Sequence, residues 1–131
     1  MTEIYALAEK IYNDAVLLKG QKSTVLKWRR MREKWLYSLA EMRENVAVMG
    51  EMLDYSYSEE YFVLIDEMID LLDACERGLR EKKYGYKARS TNYMQAFHNL
   101  TRAFFSPENR MRISAAEARK YADFWLRNEK I

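Results

Sequence analysis

Cysteine, proline, histidine and glycine are all scarce in this chain, with one, one, one and four residues respectively in 131, and each scarcity excludes something. A lone Cys75 closes no disulfide within the chain and builds no multi-cysteine zinc site. A reducing, cytoplasmic setting is the expectation. So few glycines and prolines leave little room for a β fold, which needs a tight turn every ~8–12 residues. One histidine, His98, is a thin basis for triad chemistry, and no glycine-rich phosphate loop, GxSxG or HExxH occurs. The chain is therefore expected not to be an enzyme and to need no cofactor and no metal. No run of about 18 apolar residues is present to span a bilayer. The opening MTEIYALAEK also lacks the basic start and apolar centre of a secretory signal. No membrane association is expected.

What is present suits a folded helical protein. Apolar residues make up 49% and charged ones 32%, a balance that buries a core and argues against disorder. Residues 1–131 read as a single domain, since no linker or low-complexity tract divides them. The longest helical pattern runs from Lys22 to Met49. There Trp28, Met31, Trp35, Leu39, Met42, Val46 and Met49 recur at spacings of three and four and so share one face. Gly50 offers a stop, although Leu53 falls back on the same face.

Other helices flank this one. Ile4, Leu7, Ala8, Ile11, Ala15 and Leu18 mark a first helix ending near Gly20. Phe62, Ile65, Met68, Ile69, Leu72, Cys75 and Leu79 mark a third, capped by Ser56 or Ser58. Arg80 to Ser90 loses the period and reads as a basic, tyrosine-rich connection around Gly85. Ser90 or Thr91 then starts a fourth helix carrying Tyr93, Phe97, Leu100 and Phe104, which ends near Ser106-Pro107, with a short turn or 3₁₀ segment after it. Ser114 and Glu117 have capping-box spacing ahead of a fifth helix with Ala118, Tyr121, Ala122 and Trp125 on its apolar side. The expected fold is an all-α bundle of about five helices, built on an antiparallel pairing of the second and third.

Charge is distributed unevenly. The formal net charge is +2, yet residues 22–34 carry +5, 35–76 carry −10 and 77–131 carry +8. Single-sign fields of this kind either pair with one another within the fold or stay open and steer partners. On the second helix Lys27, Arg30 and Lys34 lie off the tryptophan face with Tyr37 one turn beyond, a combination suited to phosphate contact and ring stacking. A second cluster interleaves Lys82, Lys83, Lys87 and Arg89 with Tyr84 and Tyr86. Both are candidate nucleic-acid or partner contacts. Asp66, Glu67, Asp70 and Asp73 form a candidate acidic docking face, without a histidine at metal-ligand spacing.

The resulting expectation is a non-catalytic binding module for nucleic acid or a nucleoprotein complex. The alternative is a protein-interaction module whose acidic helix or exposed tyrosines occupy a partner's basic groove. That would be an adaptor or small inhibitor, such as phages and mobile elements direct at host nucleoprotein machinery. Ten Tyr and eight Met are many for so short a chain to hide, which favours a homo-oligomer.

Overall fold

The computed structural model describes residues 2–19, 25–80 and 86–129. Among them are five α-helices, α1 (Thr2–Lys19), α2 (Val25–Met52), α3 (Glu59–Arg80), α4 (Tyr86–Thr101) and α5 (Ala115–Glu129), one 3₁₀ turn (Arg102–Phe104) and no strand. None of these helices is long and apolar enough to cross a membrane.

The first four helices form a ring. α1 packs on α2, α2 on α3, α3 on α4 and α4 back on α1, while α5 lies along the α3–α4 side. Directions alternate around that ring. Lys10 of α1 meets Glu41 of α2, with Leu17 and Lys34 sharing the groove beyond them. Arg43 of α2 meets Asp73 of α3, while Gly50 lies against Ile65. Tyr61 near the start of α3 stacks edge-on with Phe104 just past α4. The expected α2–α3 antiparallel pair is therefore one edge of an up-down four-helix arrangement.

The heptad-like spacing of α2 does what it foretold: Trp35, Leu39, Met42, Val46, Met49 and Leu53 are all buried, and Met31 is half-buried. The side chain of Trp28 lies outside the described residues. From α1 the core takes Ile4, Ala8, Ile11 and Ala15, and from α4 Tyr93, Phe97 and Leu100. Where α5 covers α3 and α4 it presents the small residues Ala115, Ala118 and Ala122, so the helices approach closely there.

Several boundaries differ from the sequence expectation. Gly50 does not stop α2, which continues to Met52. A Cβ at Gly50 would lie 3.1 Å from Cγ2 of Ile65, so the glycine serves close approach of α2 to α3 and not chain reversal. Ser56 does not cap α3. It donates to Asp54 while Tyr61 N–H donates to the Ser58 carbonyl, making Ser58 the residue at the helix start. The connection expected at Arg80 to Ser90 is shorter, because α3 runs to Arg80 and α4 begins at Tyr86. Lys87, Ala88 and Arg89 are good helix formers, so the helix starts before the Ser90 cap candidate.

α4 also ends early, at Thr101, whose hydroxyl donates to the His98 carbonyl at 2.6 Å. The 3₁₀ turn follows immediately, ahead of Pro107, and the short turns expected after the proline are also present, with Asn109 N–H donating to the Ser106 carbonyl at 2.9 Å and Arg112 N–H to the Asn109 carbonyl at 3.0 Å. Arg102 then anchors the loop, donating from Nε to the Met111 carbonyl at 2.7 Å and from Nη1 to Asn99 Oδ1 at 3.3 Å. Ser114 starts α5 as expected, accepting from Glu117 N–H at 3.1 Å. Phe62, expected in the α3 core, is 42% exposed.

Candidate functional site

The outward stripe of α2 is the surface on which charge is least explained by the fold. At 100° per residue Arg30, Lys34, Tyr37, Glu41, Glu44 and Val48 fall within about 80° of one another. All six are exposed, Tyr37 to 74%. The charged members are sorted by sign, with bases in the N-terminal half and acids in the C-terminal half. Arg30 and Lys34 are thus like charges one turn apart, an arrangement that weakens a helix by a few tenths of a kcal/mol, roughly 0.2–0.5. The first turn of α2 holds no acid and its last turn no base, the reverse of what the helix dipole favours.

α3 and α1 obey the ordinary rules. α3 opens on Glu59 and Glu60 and closes on Arg77 and Arg80, complementing its dipole. It also pairs Glu76 with Arg80 at 2.8 Å, one turn apart. α1 pairs Lys10 with Asp14 at 3.2 Å in the same way. Local stability therefore accounts for the charged ends of α3 and for these i,i+4 pairs, but not for the two adjacent bases of α2.

Neither Arg30 nor Lys34 takes part in an ion pair with the described residues, whereas Glu33 lies 3.6 Å from Arg32. The side chain of Lys27, the third base assigned to this stripe, lies outside the described residues, although its backbone belongs to the first turn of α2. Beside the stripe runs a shallow α1–α2 groove of about 220 Å³, lined by Leu17, Leu18, Met31, Lys34, Trp35 and Ser38 among others. Lys10 closes one end by reaching Asp14 and, at 3.7 Å, Glu41. The hydrogen bond with Asp14 holds the Lys10 ammonium above its ordinary pKa. Leu17, at the groove's rim, is 67% exposed.

Antiparallel packing brings the start of α2, the end of α3 and the start of α4 to one pole of the bundle. Tyr86, Lys87 and Arg89 occupy the first turn of α4, at the same pole as Arg30 and Lys34, though their side chains lie outside the described residues. Lys82, Lys83 and Tyr84 lie outside them altogether. The start of α2 and the start of α4 thus share one end of the fold, a proximity that no local pattern announces.

The acidic candidates are divided. Asp66 and Asp70 are exposed on α3. Asp73 is ion-paired with Arg43 of α2. Glu67 is buried beneath α5 and accepts from Arg119 Nε at 3.3 Å. Burial raises the Glu67 pKa, an effect that Arg119 partly offsets. Glu67 therefore does not belong to an exposed docking face, because α5 covers its side of α3. Cations from α2 and α5 flank the acidic helix on both sides.

No group of three or more His, Cys, Asp or Glu among the described residues is arranged to hold a metal ion. His98 is buried with its ring edge-on to Tyr12, centroids 5.3 Å apart. Cys75 is buried, which pushes its thiol pKa far above the ordinary value. Sequence reasoning missed the groove and the separate fates of Glu67 and Asp73. The first depends on how α1 crosses α2, and the second on which neighbours lie beside α3. No family model, curated protein or solved structure matches the chain.

Proposed function

We propose that this bundle is a non-catalytic module that binds nucleic acid, or a nucleoprotein complex, with the basic pole formed around the N-terminal half of α2. The observation that carries the reading is the exposed set Arg30, Lys34 and Tyr37, two cations outside any ion pair with the described residues and one open ring on a single stripe. Cations in solvent displace counterions from phosphates and supply affinity independent of sequence. An exposed ring adds stacking on an unpaired base. The start of α4, with Tyr86, Lys87 and Arg89, adds residues of the same chemistry at the same pole.

The acidic alternative has less support, since Glu67 is covered and Asp73 is neutralised by Arg43. Fluorescence polarisation with mixed-sequence DNA and RNA at two salt concentrations tests the proposal. Binding should weaken with log salt at about −0.9 per phosphate contact for duplex and about −0.7 for single strands. Arg30→Glu with Lys34→Glu should weaken binding to all sequences. Asp66→Lys with Asp70→Lys should leave it intact or strengthen it. Absence of binding at low salt would remove the proposal.

A further inference from the structure

The sign-sorted stripe of α2 reads differently when it is turned end over end. Along one exposed face the order is Arg30, Lys34, Tyr37, Glu41, Glu44: two bases, a ring, two acids. A twofold axis through Tyr37, perpendicular to the helix, brings Arg30 opposite Glu44 and Lys34 beside Glu41. It also places the two Tyr37 rings next to each other. The pattern is self-complementary in an antiparallel pairing, because a parallel pairing sets bases on bases and acids on acids.

We infer that this face of α2 is a docking surface for a second copy of the chain, paired antiparallel about Tyr37. The charge order unfavourable within one helix becomes favourable between two, since each basic half then lies against an acidic half and against the negative end of the partner's helix dipole. The exposed Tyr37, 74%, and Val48, 43%, supply apolar area along the same line. Glu33, the exception in the basic half, sits at the edge of the face beside Arg32.

The contact from Arg30 to Glu44 spans about 21 Å of helix at 1.5 Å per residue. One helix face is small against the ~1,600 Å² of a standard interface, so the dimer is weak and salt-sensitive. It shares Arg30 and Lys34 with the proposed nucleic-acid surface, which makes the second copy and nucleic acid competitors for the stripe.

Sedimentation velocity from micromolar to several hundred micromolar protein at low salt tests the pairing. The wild-type chain should form a dimer that dissociates as salt is raised. R30E/K34E presents only acids on the face and E41K/E44K only bases, so each alone should be monomeric. An equimolar mixture should restore a heterodimer at least as stable as the wild-type dimer. Circular dichroism confirms that both variants remain helical. A wild-type chain monomeric throughout, variants that dimerise alone, or a mixture that stays monomeric would each overturn the inference. Nucleic-acid binding is scored separately. E41K/E44K retains Arg30 and Lys34, so its failure to bind DNA or RNA would count against the functional proposal and leave the dimer standing.

Discussion

Glu67 of α3 accepts a hydrogen bond from Arg119 of α5 across 3.3 Å, a polar link between the last helix and the bundle. The Glu67 side chain is nearly covered, while that of Arg119 is 39% exposed. Removing the cation leaves a buried acid unsatisfied. Arg119→Ala should therefore destabilise by about 1–2 kcal/mol, less than for a fully buried pair because Arg119 reaches solvent. Chemical denaturation measures it.

The same acid has a pH signature. Its folded pKa is raised above the ordinary 4.5, so the native state holds that proton more tightly than the unfolded chain. The contribution of Glu67 is fully present below 4.5 and is lost as pH rises through the higher folded value. Glu67→Gln should remove this loss, so the variant gains on the wild type as pH climbs through that window. Parallel unfolding curves at several pH values would show the crossover; a constant offset at every pH would contradict it.

Gly50→Ala sets helix propensity against packing. Alanine favours the helix by about 1 kcal/mol, but its Cβ would meet Ile65 Cγ2 at 3.1 Å. That methyl is attached directly to the Cβ of a buried side chain and has little freedom to retreat. The substitution should be destabilising by about 1 kcal/mol net. In an Ile65→Leu background, where no methyl branches at that position, the same change should stabilise. A double-mutant cycle reads the difference.

Arg30→Glu makes a sharper test of why α2 carries its charges. A glutamate four residues before Lys34 forms a favourable pair, so thermal stability should rise slightly, by about 0.2–0.5 kcal/mol. Nucleic-acid affinity should fall in the same protein. A variant that loses both stability and binding would return Arg30 to a structural role.

Trp35→Ala should cost roughly 3–5 kcal/mol, as expected for truncating a large aromatic ring that is only 7% exposed. Cys75 offers an independent readout of such losses. It is 2% exposed with a raised thiol pKa, so labelling by a thiol reagent should be slow in the native protein and should accelerate in proportion to unfolding.

The local period of the chain was sufficient to determine the helices and most of their buried faces. Trp35, Leu39, Met42, Val46 and Met49 lie inward because spacings of three and four return a side chain to the same side of a helix. Ser114 caps α5 for an equally local reason, a hydroxyl within reach of the amide three residues on. The sorted charges of α2 were legible in the same way, as an order of residue types. Only the tertiary structure decided what that order faces. Burial of Glu67 depends on α5 crossing α3, and neutralisation of Asp73 depends on α2 lying alongside. The helical role of Gly50 depends on a side chain fifteen positions away. That the start of α2 and the start of α4 share one pole follows from antiparallel packing, which sets helix ends together regardless of their distance along the chain. Periodicity fixes which side of a helix is apolar, but the neighbour that covers it is chosen by how all the helices share one core.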